Sequence, residues 1–180
     1  MQLPVLRSSE ARLLTFVLCF VAAAVHAPAQ RFKSSTYSVL PPTGWQTSTQ
    51  NVIKGGVVFL GPREQDFTVN INVLSEPAPH ETLAQYVQAI HRQVTAAKQM
   101  IILKDGSKML AGTPAHTMLT DLMIKDRRGL PTLRVHQVYA MHKDRAYILT
   151  LTCPENVSDA AAGRYIAAFD KLVASFQWEK

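Results

Sequence analysis

Three histidines, His116, His136 and His142, lie late in the chain on segments that alternate apolar and polar residues, and all share one parity. Residues two apart on a strand face the same way. The three imidazoles are therefore expected on the less apolar side of a sheet, with Arg134 and Thr120. Imidazole is the commonest protein ligand for metals. If a hairpin turns near Arg128, His116 pairs with Ala140 and His142 becomes its diagonal neighbour, with Cβ atoms about 7–8 Å apart. His116 and His142 are thus the candidate metal ligands. His136 stands about 20 Å from His142 along the same strand, at ~3.3 Å per residue, and cannot join them. Asp121 has the opposite parity, so no carboxylate completes the set. Zinc normally takes three or four protein ligands, and this pair alone predicts weak binding. No cofactor is expected.

Asn70 and Asn72 are the candidate ligand-binding residues. Asparagine is depleted in strands, yet these two share one face of the cleanest alternating segment in the chain, F-T-V-N-I-N-V from Phe67 to Val73. Their amides can read a polar ligand or a peptide backbone, or simply meet water. Cys153 ends the last strand on its apolar side. A nucleophilic cysteine needs an electropositive, partly exposed setting with a base nearby, and a buried inert thiol is expected instead. The sequence has no G-x-S-x-G elbow and no glycine-rich phosphate loop, and no two carboxylates are spaced for acid–base work. These absences predict no catalytic residues and no enzymatic activity.

Charge narrows the partners further. The chain has 19 Lys and Arg against 13 Asp and Glu, a net charge of +6. Lys125, Arg127 and Arg128 fall in one hairpin turn, while Lys143 and Arg145 fall in the next, at the other end of a sheet. They do not merge into the contiguous basic face that nucleic-acid binding requires, and no nucleic-acid partner is expected.

These residues must be positioned by a domain that begins after a leader. Arg7 and Arg12 precede an apolar run from Leu13 to Val25, and Ala27-Pro28-Ala29 supplies a small-x-small cleavage site. The run is shorter than the ~20 residues that span a bilayer as a helix. Residues 1–29 are read as a signal peptide and 30–180 as a single domain. The product is expected to be exported, periplasmic or secreted, without a stable membrane anchor after cleavage. Of the two cysteines only Cys153 lies beyond the leader, so the domain rests on its packed core and not on an intramolecular disulfide.

Strands come in runs. Thr36 to Leu40 alternates and stops at Pro41-Pro42. Val52 to Lys54 and Val57 to Leu60 read as a hairpin around Gly55-Gly56. After the Phe67 to Val73 strand, Thr82 and Gln85 form a capping-box pattern. Leu83, Val87, Ile90, Val94 and Ala97 then make a helical stripe. Met100 to Lys104 and Lys108 to Leu110 read as two extended pieces around an Asp105-Gly106 turn. Longer strands are expected at 115–125, 132–142 and 146–153, with Leu119, Met123, Leu133, Val135, Tyr139, Met141, Tyr147, Leu149 and Leu151 on one apolar face. A final helix, capped by Ser158 or Asp159, carries Ala162, Ile166, Phe169, Val173 and Phe176 as its stripe. The order predicts an α+β fold, an antiparallel sheet flanked by helices.

The segments Y-S-V-L-P-P-T-G-W, F-L-G-P, F-T-V-N-I-N-V, H-E-T-L-A-Q-Y-V, A-G-T-P-A-H and Q-V-Y-A-M-H-K-D-R-A-Y-I-L-T-L-T resemble the PsbP and Mog superfamily, above all its small exported bacterial, DcrB-like members. The resemblance covers nearly the whole chain after the leader. It implies an antiparallel sheet flanked by helices and a mostly non-catalytic role: one branch assists photosystem assembly and another binds a small GTPase. The function it implies is an exported, non-enzymatic domain that binds a protein partner or supports an envelope assembly. The alternative is a small-molecule or metal-binding module of the envelope. The Y-S-V-L-P-P-T-G-W stretch itself reads as a structural corner. Its prolines end a strand, and Trp45 folds back over the core with its indole N–H at a wet margin. The leader yields a direct expectation: N-terminal sequencing of protein from its native host starts at Gln30, and an intact Met1 in the mature pool contradicts it.

Overall fold

The computed structural model describes residues 30–50, 56–123 and 132–180. The leader, the Val52 to Gly55 part of the first hairpin and the Lys125 to Gly129 turn residues lie outside them. Twelve elements follow in chain order. They are β1 (Phe32–Lys33), β2 (Tyr37–Val39), β3 (Gln46–Ser48), β4 (Val57–Glu64), β5 (Phe67–Pro77), α1 (Leu83–Ala96), β6 (Met100–Leu110), β7 (Thr113–Leu122), β8 (Leu133–His142), β9 (Arg145–Pro154), α2 (Asp159–Ala174) and β10 (Gln177–Trp178). Seven strands form one antiparallel sheet in the order β3-β4-β5-β9-β8-β7-β6, and β1-β2-β10 form a smaller one. The α+β expectation holds. Among the described residues no helix is long and apolar enough to cross a membrane.

Both faces of the large sheet are covered. On one side Tyr165, Phe169, Leu172 and Val173 of α2, with Tyr37 and Val39 of the small sheet, pack on Ile71, Val73, Val138, Leu149 and Leu151. On the other, Tyr86, Ile90 and Val94 of α1 pack on Met118, Tyr139, Ala146 and Ile148. The capping box forms as expected: Gln85 N–H donates to Thr82 Oγ1 at 3.2 Å, and Thr82 N–H donates to Gln85 Oε1 at 2.9 Å. Ser158 caps α2 by accepting from Ala161 N–H. The α2 stripe is rotated from its expected position. Tyr165 is buried and Ile166 is exposed, because Ala161, Tyr165, Phe169 and Val173 follow the four-residue step and the Tyr165 hydroxyl finds a partner in Glu64.

Two further expectations are corrected. Asp105-Gly106 is not a turn. β6 runs unbroken past it, with a bulge between Ile102 and Lys104. Gly106 sits in mid-strand because a Cβ there would lie 2.8 Å from Thr117 Oγ1 on the next strand. The chain reverses instead at Ala111-Gly112, with φ of 47° and 80°, the positive-φ pair of a two-residue hairpin turn.

The register also differs. Ala115, not His116, pairs with Ala140, and His116 pairs with Tyr139. Across both late hairpins odd residues stand opposite even ones, as in Leu119 with His136 and Val138 with Leu149. The apolar residues of these strands therefore divide between the two faces instead of sharing one. A one-residue slip moves every side chain to the other side of the sheet.

The Pro-Pro corner is a tight turn. Trp45 N–H donates to Pro42 O at 3.1 Å, and Gly44 takes φ 80°, as the third position of a type II turn requires. The turn lays Trp45 edge-on to Tyr165 at 6.5 Å and over Gly61, where an added Cβ would come within 2.7 Å of the indole. Trp45 is only partly buried, so Trp45→Ala should cost about 3 kcal/mol, the low end for large aromatics. Gly61→Ala should cost about 1–3 kcal/mol by overpacking, and that cost should vanish in the Trp45→Ala background. Urea melts of the four proteins check this, and simple additivity contradicts the contact.

Candidate functional site

His116 projects from β7 on the α1 side of the sheet. Two residues along the paired strand, diagonal to it, stands Asp105: Ser107 pairs with His116 and Asp105 with Met118. Above them α1 crosses the hairpin and presents His91, next to the buried Ile90. His116 Nε2 lies 2.8 Å from Asp105 Oδ1, and His91 Nε2 lies 3.1 Å from the same oxygen. The imidazoles meet edge to face at 5.8 Å. His116 also leans on Tyr139, with ring centroids 6.5 Å apart. Burial first, and the Asp105 charge second, hold the Tyr139 hydroxyl firmly protonated.

Helix, edge strand and second strand thus deliver two imidazoles and one carboxylate to a single point. Their ligand atoms all lie within 4.8 Å of one another. His116 lines a neighbouring groove of about 650 Å³ as well, walled by Leu83, Val87, Met109 and Pro114. The cluster is half open to solvent, with side-chain exposures of 35% for His91, 36% for Asp105 and 20% for His116.

The structure does not bring His116 and His142 together. His142 belongs to the α2 side, stacked on Trp178 at 4.2 Å and 11°. Desolvation, then Lys143, lower its pKa. His136 also lies on the α2 side, opposite Leu119 and Leu151, and burial, then Arg134, lower its pKa. Arg134 makes a two-pronged bond to Asp121 at 3.0 and 3.1 Å.

Asn70 and Asn72 share the α1-side face but stand away from the histidines, beside Thr152 and Thr150. Asn70 Nδ2 donates to Thr68 O at 3.1 Å. Asn72 is buried, and among the described residues its Oδ1 has no hydrogen-bond partner, nor does Thr120 Oγ1 on the same face.

Sequence reasoning missed His91 and Asp105. His91 occupies the flank of an otherwise ordinary amphipathic helix, and no spacing within α1 marks it. Asp105 was accessible: placing the turn at Ala111-Gly112 sets Leu110 opposite Thr113 and brings Asp105 diagonal to His116.

The solution structure of cyanobacterial PsbP (CyanoP) from Synechocystis sp. PCC 6803 superposes with a TM-score of 0.61 at 17% identity, over 88% of this chain and 98% of that one. LpqN, involved in cell envelope biogenesis of Mycobacterium tuberculosis, gives 0.57 at 13% identity, over 82% and 86%. The Saccharomyces cerevisiae Ran-binding protein Mog1p gives 0.53 at 13%, over 78% and 89%. No protein-family model and no curated protein matches the sequence. The chain has the PsbP and Mog-like fold. Likeness at this level of identity does not single out the DcrB-like members.

Cys153 is buried at the end of β9, its thiol 3.9 Å from Arg134 O. Burial pushes its pKa up to about 11, and only the thiolate reacts. At about pH 8, near the free-thiol value, a disulfide reagent should label the folded protein far more slowly than the urea-unfolded chain. Equal rates contradict the buried thiol.

Proposed function

We propose that the chain is an exported, non-enzymatic binding domain, periplasmic or secreted, whose β6 edge receives a protein partner of the cell envelope. The observation that carries the reading is the edge itself. β6 runs from Met100 to Leu110 at the margin of the large sheet, paired only with β7 among the described strands. Ile101, Leu103 and Met109 on it are 50%, 47% and 58% exposed. A long edge strand with uncovered apolar side chains is a template for adding a strand from another chain, and extended peptides bind sheet edges in this way. The bulge at Ile102 and the Lys104 and Lys108 side chains limit indiscriminate pairing, as charges and bulges do on natural edges. The described roles of LpqN in envelope biogenesis and of Mog1p in Ran binding support a binding role on this fold.

The test is capture from envelope extract on immobilised protein, then reconstitution with the purified captured partner. The expected result is a stoichiometric complex lost in Ile101→Asp/Leu103→Asp and kept in Thr47→Asp on the opposite edge strand β3. A partner that binds the β6 variant as well as the parent, or the absence of a stoichiometric complex, overturns the reading.

A further inference from the structure

We propose that His91, Asp105 and His116 form a binding site for a divalent transition-metal ion of the zinc type, with one coordination position left open beside the groove between α1 and the β6–β7 hairpin. This does not rest on the protein-partner reading. The donor set is the first support. Two imidazole nitrogens and a carboxylate oxygen are a zinc-type set, and three protein ligands with an open fourth position mark sites that also take water or a small ligand. Calcium and magnesium favour oxygen ligands throughout, so the two imidazoles select against them.

Geometry is the second. A tetrahedral ion with bonds of about 2.0–2.2 Å sets its ligand atoms roughly 3.3 Å apart. The two His–Asp separations are 2.8 and 3.1 Å, and all three ligand atoms lie within 4.8 Å of one another. Small side-chain rotations suffice to admit the ion. The third support is placement. The ligands come from three separate elements, α1, β6 and β7, each fixed by its own packing: Ile90 and Val94 bury α1, and β6 and β7 are paired from Met100 to Leu110. His116 is backed by the buried ring of Tyr139. Such a site is held in position before the metal arrives. Without metal, both imidazoles direct Nε2 at one carboxylate oxygen. A divalent ion there would take the Nε2 lone pair of each neutral ring, its one proton then carried on Nδ1, together with Asp105 Oδ1, and so bind all three groups.

The measurement is titration of tag-free protein with zinc alone by calorimetry, together with cobalt(II) absorption, which reports tetrahedral coordination. The expected result is one-to-one binding with a Kd of about 1 μM or tighter. His91→Ala, His116→Ala and Asp105→Asn should each weaken it by at least the ~10–100-fold that loss of even an outer partner of a metal site costs. His142→Ala, on the other face of the sheet, should leave it unchanged. Asp105→Asn keeps the shape of the side chain, so it separates lost coordination from lost folding, and circular dichroism of each variant verifies the fold. Binding weaker than about 100 μM, binding indifferent to His91 and Asp105, or binding abolished equally by His142→Ala overturns the proposal.

Discussion

The register of the β6–β9 ladder is the constraint on which the rest of the structure depends. Two of its three pairings, β6 with β7 and β8 with β9, are set at turns. Ala111-Gly112 and Lys143-Asp144 each place two successive residues at positive φ, between 47° and 80°, in the two-residue geometry that suits the right-handed twist of antiparallel strands. With Leu110 opposite Thr113, Leu122 opposite Leu133 and His142 opposite Arg145, every side chain of the ladder has a fixed side. Tyr139, Ile148 and Met118 meet α1, and Val138, Leu149 and Leu151 meet α2. The same register places Asp105 and His116 under His91 and sends His142 to the opposite face. A slip of one residue would exchange the two cores and dissolve the cluster.

The α2 face closes with aromatic rings drawn from distant parts of the chain. Tyr37 stacks on Phe176 at 5.4 Å and 8°, and meets Tyr147 edge-on at 6.1 Å. Its hydroxyl donates to Val73 O at 3.2 Å. Trp178 packs edge-on against Tyr147 and Phe176, stacks on His142, and donates its indole N–H to Thr113 Oγ1 at 3.1 Å. Offset and edge-on pairs of this kind add stabilisation beyond the area they bury. They tie β2 and β10, near the two ends of the described chain, to the middle of the large sheet. The α1 face is smaller and more polar. It carries Asn72, Thr120, Thr150 and Thr152 in buried positions beside its apolar cluster, and the histidine–aspartate group sits at its β6–β7 edge.

How much of this was legible follows from burial. The α1 capping box and Phe67–Val73 were read correctly because each carries a local signal, a cap or a clean alternation, that tertiary contacts do not override. The faces of β8 and β9 were not. β9 is buried on both sides along nearly its whole length, so its apolar residues no longer alternate and parity loses its meaning. The Asp105-Gly106 turn failed for a different reason. The glycine answers to Thr117 on the neighbouring strand, a contact far away in sequence. The missed third ligand was a direct consequence. Reading that pair as a turn removed Asp105 from the strand, and the His116 face then lacked a carboxylate.

Proton NMR of the two imidazoles tests the central claim, the register that joins His116 to His91, most directly. With ring centroids 5.8 Å apart and edge to face, His91 and His116 should show ring-to-ring nuclear Overhauser contacts, and His142 should show them with the Trp178 indole. Contacts between the His116 and His142 rings, with none between His116 and His91, would mean that the hairpin is paired one residue away from the register described and that the cluster does not exist.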